Sequence, residues 1–454
     1  MRRHSLIARL GPADTASVSI QMTDSVETEI RFIDGQRRLG FSLGQMIGQL
    51  AARGIVPSET AIDLAILAAT VTAADTRISR TADSQDSWTR EIDLYVAVLD
   101  PALWLRASAP IERMLKFLTG DRWRVFFRER HPAYHQLTSR PRALIRQPFS
   151  SVCLFSGGLD SFVGAIDLLA AGQAPLLVSH YWDLSTSSQK LCAQRIGTVY
   201  GDMRPRHVRA HVGFDRNDFS REMDTESTTR GRSFLFFALA ALAASGLNGE
   251  PTIYVTENGL ISLNVPLDPL RVGAWSTRTT HPFYMARWQE LLGYLGIHAN
   301  LSNPYRFKTK GQMLSECRNT TLLKRGLSET ISCSSFSKAR YQKLSPRHCG
   351  FCVPCLIRRA AITTAFRTDP TPYTIPDLRA RPLNSESAEG EHVRSFQIMA
   401  RRLSQRLGIE QILIHKSGPL SDYSVPEIAD YASVFRRGIM EVASLVDPVV
   451  VRPR

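Results

Sequence analysis

Short apolar runs alternate with helix-like patterns along the middle of the chain. Strands are predicted at residues 152–155, 176–180, 206–212 and 252–256, where apolar or alternating runs stand between polar stretches. Helices are predicted between or after them at residues 161–171, 187–200, 234–247 and 284–295. Strands and helices that alternate in this way form a parallel sheet with helices on both faces. Residues 149–368 are therefore predicted to form an α/β domain.

The two flanking parts of the chain have weaker patterns. Residues 1–148 combine strand-like runs at 92–99 and 123–127 with helical patterns at 41–53 and 60–74, which predicts an accessory α+β domain. Residues 121–146 are dense in arginine and are interpreted as a solvated connector, with a phosphate-binding surface as the alternative. The polar, proline-bearing residues 369–391 predict a linker, and 369–454 as a whole are taken as linker and mainly helical C-terminal region.

Composition and charge narrow the classes of function. The chain has 454 residues, 43% of them apolar, which is ample for folded cores. A net charge of +14 and an isoelectric point near 9.7 create a positive field that attracts nucleotides, nucleic acid or an acidic protein. The longest apolar run, residues 234–247, is shorter than the roughly 18 residues of a membrane span, and no signal-peptide pattern is visible. We therefore predict a cytoplasmic protein that does not enter a membrane.

A glycine-containing loop follows the predicted strand 152–155 and is the first candidate for chemistry. Its residues are Ser156, Gly157, Gly158, Leu159, Asp160 and Ser161. Glycines let backbone N–H groups approach phosphate, and the helix that follows adds the positive end of its dipole. The loop matches the PP-loop signature of enzymes that cleave ATP between its α and β phosphates, and it lacks the lysine of a Walker A loop. We predict that these residues bind ATP, and that Asp160 holds Mg²⁺ beside the phosphates, caps the helix, or does both.

Four of the seven cysteines crowd into one short segment. Cys349, Cys352 and Cys355 form a Cys-x₂-Cys-x₂-Cys run, and Cys333 precedes it. Four thiolates close a tetrahedral site around Zn²⁺ without an open position, so the predicted zinc site is structural. His348 is a rival ligand, and an iron–sulfur cluster is an alternative to zinc.

Together, the loop and the segment from Cys333 to Arg358 resemble the QueC family of 7-cyano-7-deazaguanine synthases over residues 150–365. The resemblance implies a PP-loop fold of the adenine nucleotide alpha hydrolase type. It also implies conversion of 7-carboxy-7-deazaguanine, ATP and ammonia into the nitrile, through an adenylate and an amide. On that pattern the loop holds pyrophosphate and the four cysteines hold zinc.

The resemblance extends to residues outside these two motifs. The segment Arg230-Gly231-Arg232-Ser233 is similar to a Gly-Arg-Asn segment of the family, with Ser233 in place of the asparagine. Arg232 is therefore predicted to contact phosphate or the substrate carboxylate, with Arg230 as a substrate-binding candidate. Lys310 is similar to a lysine of the family and is predicted to stabilise charge as pyrophosphate leaves. The catalytic candidates are thus Asp160, Lys310 and Arg232.

One segment departs from the family. Its short Tyr-Pro-Asp-Cys-Arg-like substrate segment is replaced here by the polar residues 257–259 and 276–281. Among these, Glu257 and Asn258 are predicted to read a purine-like base by hydrogen bonds, and His281 is a further substrate-binding candidate. The group that accepts the activated carboxylate stays open.

The extra length at both ends is similar to that of QueC-like proteins in bacterial anti-phage operons, including the Qat system. This resemblance implies a role in defence, with a protein from the same operon as partner, whose amine would receive the deazaguanine carboxylate.

Two other functions stay open. Some PP-loop enzymes modify tRNA bases, and the basic residues 122–146 with Arg401, Arg402 and Arg406 could follow a nucleic-acid backbone. Thiolating enzymes of this kind need a reactive cysteine, whereas Cys153 is predicted to lie in a buried strand. The other alternative is a nucleotide-binding scaffold without catalysis.

Overall fold

A computed structural model of the protein describes residues 2–34, 38–84, 86–138, 148–181, 185–268, 278–334, 336 and 343–453. Two larger sheets and one short strand pair lie in these ranges, and all the strand pairings within them are parallel. None of the helices in the same ranges combines the length and the hydropathy that crossing a bilayer requires.

The first sheet has four strands in the order β2-β1-β3-β4. Its elements are β1 Arg3–Arg9, β2 Ser25–Arg31, α1 Leu43–Ala51, α2 Glu59–Arg77, α3 Arg80–Asp83, β3 Glu91–Val98, α4 Pro101–Thr119 and β4 Arg122–Glu129. The predicted strands and helices are confirmed to within a few residues. The predicted α+β class is wrong, because neighbouring strands are parallel, and local patterns do not determine strand direction.

The arginine-rich stretch that was interpreted as a connector forms β4 over residues 122–129. Its arginines pair with carboxylates of neighbouring elements. Arg124 lies 2.6 Å from Asp93, and Arg128 lies 2.6 Å from Asp14. Because these charges are compensated within the fold, β4 is neither a solvated connector nor an open phosphate-binding surface. Residues 139–147 of the same stretch lie outside the described residues.

The second sheet has five strands in the order β7-β6-β5-β8-β9, and its strands are parallel, as the predicted α/β fold implies. Its elements are β5 Ser151–Leu154, α5 Leu159–Ala170, β6 Pro175–His180, α6 Ser185–Tyr200, β7 His207–Ala210, α7 Arg232–Ala244, β8 Thr252–Tyr254, α8 Gly259–Leu263, α9 Pro282–Tyr294, β9 Asn300–Ser302, α10 Lys310–Ser315 and α11 Thr320–Gly326. The chain adds strands on one side of β5 and then on the other. The strand order therefore reverses at β5, and ligands of open α/β sheets bind at such a reversal.

Two helices join the sheets. Helix α2 is buried on all sides from Ala61 to Asp75, and α7 is buried over most of its length. A helix that is apolar around its whole circumference belongs inside a core. These two helices pack against each other, so the first and second sheets share one hydrophobic core.

The C-terminal part forms a second core. Its elements are α12 Val353–Phe366, β10 Leu383–Asn384, α13 Ala388–Gln405, α14 Glu410–Leu413, α15 Val425–Val446 and β11 Val451–Arg452. Helix α15 packs on α12, α13 and α8. The predicted linker 369–391 contains β10 and the start of α13, and it buries Leu378 and Leu383. The linker interpretation is therefore wrong for this stretch, because its few apolar residues are enough to anchor it.

Candidate active site

The glycine-containing loop lies at the carboxyl end of the central strand β5. It leads into α5, whose first residue is Leu159. Ser156 Oγ accepts a hydrogen bond from Gly158 N at 3.2 Å and lies 3.1 Å from Ser161 Oγ. The loop thus brings two hydroxyls together at the start of a helix, where backbone N–H groups and the dipole favour an anion.

Gly157 is required by the shape of this loop. Its φ is +77°, and a Cβ at this position would lie 2.8 Å from Gln189 N. The carbonyl of Gly157 accepts hydrogen bonds from Ser188 Oγ at 2.5 Å and from Ile331 N at 3.1 Å. The loop is therefore held in place by α6 and by the segment that precedes the cysteines.

Asp160 lies in the first turn of α5 and forms a buried ion pair. Its Oδ1 atom is 2.7 Å from Lys310 Nζ. Its Oδ2 atom accepts hydrogen bonds from Asn258 Nδ2 at 2.7 Å and from Asn258 N at 3.2 Å. Gly158, and not Asp160, is the N-cap of α5, so the predicted capping role is wrong. Both oxygens of Asp160 already have cationic or N–H partners, and a Mg²⁺ ion bound there would have to displace one of them.

Glu257 is the third ionisable residue of this cluster, and its pKa is shifted. Burial raises its pKa well above the ordinary 4.5, and the Asp160 charge raises it further. Burial alone would also raise the pKa of Asp160, but Lys310, with hydrogen bonds from Glu257 and Asn258, lowers it to about 2. This shift favours the protonated form of Glu257, which can donate a hydrogen bond to the Asp160 carboxylate.

A cavity of about 330 Å³ opens beside the loop, between the ends of β5 and β8. Its polar lining includes Ser156, Ser161, Thr229, Arg230, Arg232, Ser233, Thr256, Glu257, Arg278, Thr279 and Thr280. Three arginines thus converge on a space whose lining carboxyl, Glu257, has a raised pKa that favours its uncharged form. Burial lowers the pKa of Arg230 and of Arg278 to about 10, which still leaves both guanidinium groups charged at neutral pH. The cavity is suited to an anion with several oxygens.

The structure brings most of the predicted site residues together. Ser156, Ser161, Arg230, Arg232 and Glu257 line the cavity. Asp160 and Lys310 lie behind Glu257 as a buried pair.

Two predicted substrate-binding residues have other roles in the structure. Asn258 is fully buried and is the N-cap of α8, where its Oδ1 accepts from Ile261 N while its Nδ2 donates to Asp160. With these bonds made, Asn258 positions the carboxyl cluster, and its contact with a base stays a prediction. His281 is also fully buried and caps α9 by accepting a hydrogen bond from Phe283 N. Its ring packs on Phe117 and does not line the cavity.

Arg278 is a charged residue of the cavity that was not singled out from the sequence. It belongs to the polar run 276–281, but nothing in that run distinguished it from His281. Residues 276 and 277 lie outside the described residues.

The four cysteines form one cluster. Their Sγ atoms all lie within 4.8 Å of one another, with 3.9 Å between Cys333 and Cys352 and 3.8 Å between Cys349 and Cys355. Tetrahedral coordination with Zn–S bonds of about 2.3 Å places sulfur atoms about 3.8 Å apart, so the donor set fits a zinc ion. An iron–sulfur cluster would hold the thiolates farther apart. His348 does not join the set, because its Nε2 accepts a hydrogen bond from Ser332 N.

Arg358 connects the cysteine cluster to the loop. Its buried guanidinium donates to Leu327 O at 2.6 Å and to Thr330 Oγ1 at 2.7 Å. The neighbouring residue Ile331 donates to Gly157 O. The segment that carries Cys333 therefore also supports the phosphate loop, which gives the metal site an indirect role in the shape of the cavity.

The other three cysteines are buried. Burial raises the pKa of Cys153, Cys192 and Cys317 to about 12. A thiol with such a pKa is a poor nucleophile at neutral pH. The predicted burial of Cys153 in a strand is confirmed, and these thiols do not suit a thiolation reaction.

Two curated relatives match about half of this chain and nearly all of their own length. A 7-cyano-7-deazaguanine synthase from Methanoregula boonei is 23% identical over 236 residues, which are 49% of this chain and 98% of the relative. This half of the chain is similar to the 7-cyano-7-deazaguanine synthases. A synthase of the same name from Agrobacterium fabrum is 23% identical over 259 residues, 53% of this chain and 99% of the relative. No protein-family model matches the sequence, and no solved structure does. The similarity supports the QueC-like resemblance of the motifs.

Proposed function

We propose that the chain is an ATP-dependent ligase of the QueC-like type that activates the carboxylate of a 7-deazaguanine base. A carboxylate oxygen attacks the α phosphorus of ATP, the bond to the bridging oxygen breaks, and pyrophosphate leaves. An amine then attacks the carbonyl carbon of the adenylate, and AMP leaves with the electron pair of the broken C–O bond. The product is an amide, or a nitrile when the amide is activated and dehydrated in turn.

The observation that carries this proposal is the convergence of three arginines on the phosphate loop. Arg230, Arg232 and Arg278 face the same cavity as the two loop hydroxyls of Ser156 and Ser161. Pyrophosphate release develops negative charge on several oxygens, which preformed cations and N–H groups stabilise best. Similarity to two synthases that act in 7-deazaguanine chemistry supports the choice of base.

The remaining residues have supporting roles in this proposal. In its protonated form, which the raised pKa favours, Glu257 can accept a hydrogen bond from a base N–H without placing a second negative charge beside Asp160. Lys310 keeps Asp160 ionised at the start of α5. Mg²⁺, where it accompanies ATP, supplies charge neutralisation for the phosphates. Zinc on the four cysteines stabilises the segment behind the loop.

We further propose that the reaction belongs to anti-phage defence in the cytoplasm, and that the amine comes from a partner protein of the same operon. About half of this chain has no counterpart in the two relatives. Sequence beyond the shared enzyme is where a partner would be recognised.

Mass spectrometry of the products tests the reaction. The protein is incubated with ATP, Mg²⁺ and 7-carboxy-7-deazaguanine, first with ammonia and then with the purified proteins of the same operon. We expect AMP and pyrophosphate that depend on the base, and either a free amide or nitrile or a mass increase on one partner protein. Base-independent hydrolysis to ADP would contradict the proposal, and AMP formation that requires tRNA in place of the base would favour a tRNA-modifying enzyme.

A further inference from the structure

Arg230 and Arg278 donate hydrogen bonds to the last turn of α4, a helix that packs against strand β4 of the first sheet. Arg230 Nη1 donates to the carbonyl oxygen of Thr119 at 3.1 Å. Arg278 Nη1 donates to the carbonyl oxygen of Phe117 at 3.0 Å. Helix α4 ends at Thr119, so both carbonyls are among the last four, which lack partners within a helix. The negative end of the helix dipole therefore faces two cationic side chains of the cavity.

Aromatic rings of the same part of the chain cover both guanidinium groups. The Arg230 group lies 4.0 Å from the centre of the Trp88 ring, and the Arg278 group lies 4.7 Å from the centre of the Phe117 ring. Such cation–π contacts favour a position of the guanidinium beside the ring. Each arginine thus has a carbonyl acceptor and a ring, supplied by residues more than a hundred positions earlier in the chain.

The backbone between the two arginines of the motif is fixed in the same way. Gly231 N donates to Asp75 Oδ2 at 2.7 Å, and Asp75 also pairs with Arg90 at 2.8 Å. Gly231 precedes Arg232, the first residue of α7. The N-terminal part therefore determines where Arg232 enters the cavity as well.

We propose that the N-terminal part of the chain completes the anion site, with Trp88 and Phe117 as positioning residues for the cavity arginines. This inference rests on the proposed function, since it takes the arginines to hold the phosphates of ATP or the substrate carboxylate. It assigns a role to the part of the chain in which the sequence shows no chemical motif. An arginine that is already oriented loses less conformational freedom when an anion binds.

Variants of the two rings test the inference. Trp88→Ala and Phe117→Ala are compared with Phe126→Ala, a matched control in which Arg124 lies 5.7 Å from the half-buried ring of a β4 residue outside the cavity. Titration calorimetry with pyrophosphate and with ATP and Mg²⁺ measures the dissociation constants. We expect the first two variants to weaken binding about fivefold, the size of one partly exposed cation–π contact, and the control to bind as the wild type does. Trp88→Phe and Phe117→Tyr, which keep a ring, should restore most of the affinity.

A second readout does not depend on ATP. Phenylglyoxal modifies arginine side chains, and peptide mass spectrometry gives the rate at each residue. We expect faster modification of Arg230 in Trp88→Ala and of Arg278 in Phe117→Ala, with no change in Phe126→Ala. If wild-type protein binds ATP but the affinities and both labelling rates stay unchanged in the variants, the inference is wrong and the proposed function stands. If the wild type neither binds ATP nor releases pyrophosphate, the proposed function fails, and the labelling rates still decide whether the rings position the arginines.

Discussion

The buried pair of Asp160 and Lys310 is the residue-scale feature on which the site depends. Both side chains are almost inaccessible, at 7% exposure each. Removal of one partner from a buried ion pair leaves an uncompensated charge. The pair joins α5 to α10 and keeps Asp160 ionised beside the cavity.

Lys310→Ala is predicted to destabilise the protein by about 3 kcal/mol, because Asp160 is left as a buried anion or must take up a proton. Chemical denaturation measures the change. Lys308→Ala is the matched control, since Lys308 pairs with Glu316 at 2.7 Å but is 39% exposed. Addition of Asp160→Asn to Lys310→Ala should recover part of the loss. Equal destabilisation by both lysine variants would contradict the importance of the buried pair.

The pKa values of Glu257 and Asp160 are shifted in opposite directions, which predicts opposite dependences of stability on pH. The pKa of Glu257 is raised in the folded protein, so its contribution to stability is complete below the ordinary 4.5 and is lost as the pH rises through the raised value. The pKa of Asp160 is lowered to about 2, so its contribution is complete above 3.8 and is lost as the pH falls through that lower value.

Glu257→Gln should remove the loss of stability on the alkaline side, because an amide can donate to Asp160 and does not ionise. Melting temperatures recorded from acid to mildly alkaline pH test this, with the exposed Glu316→Gln as control. A wild-type profile that falls with rising pH and a flatter Glu257→Gln profile are expected. Parallel profiles would mean that the pKa of Glu257 is not raised in the folded protein.

The loop between β5 and α5 has little room for a larger residue at Gly157. Gly157→Ala combines a left-handed backbone with a Cβ that would meet Gln189 N and Ser188 Oγ. Gly172→Ala has a similar φ of +74° but open space around the added Cβ, so it suffers only the backbone strain of about 1 kcal/mol. We expect Gly157→Ala to weaken ATP binding more than tenfold and Gly172→Ala to leave it unchanged, as measured by calorimetry. Equal affinities in the two variants would show that the loop tolerates displacement.

The cysteine cluster and helix α12 support the phosphate loop from behind. Because Arg358 joins α12 to residues 327–330, and Ile331 joins the same segment to Gly157, removal of zinc should loosen the phosphate loop. Hydrogen exchange with mass spectrometry after chelation should show faster exchange at residues 327–331 and 157–158, as well as at the cysteines. Residues 3–9 of β1 serve as the internal control. Faster exchange at the cysteines alone would show that the metal supports only its own segment.

At the scale of the whole molecule, local pattern was sufficient for the strands of the second sheet except β9, and insufficient for the arrangement of the first. Buried parallel strands such as β5 and β6 read as continuous apolar runs between helices, and this made the parallel sheet and the place of the loop predictable. The arginines of β4 looked like a charged surface because their partners, such as Asp14, are distant in sequence. Local patterns also did not reveal that α2 and α7 bring the two sheets into one core.

The parts of the candidate site that form a sequence motif were predictable. The parts that depend on contacts between distant residues were not. The phosphate loop and the four cysteines have fixed spacings that reflect their geometry. The N-cap positions of Asn258 and His281 were not predicted, because a polar side chain at a helix N-cap looks the same in sequence as one that faces a cavity. The contacts of Trp88 and Phe117 with the cavity arginines leave no local trace at all.

The central claim is that a base carboxylate attacks the α phosphorus of ATP, and transfer of isotopic oxygen tests it most directly. The protein is incubated with ATP, Mg²⁺, an amine source and 7-carboxy-7-deazaguanine whose carboxylate carries heavy oxygen, and the released AMP is analysed by mass spectrometry. The proposed function predicts one heavy oxygen in each AMP, and no AMP from Asp160→Ala. Unlabelled AMP, or ADP in its place, would contradict adenylation of the carboxylate.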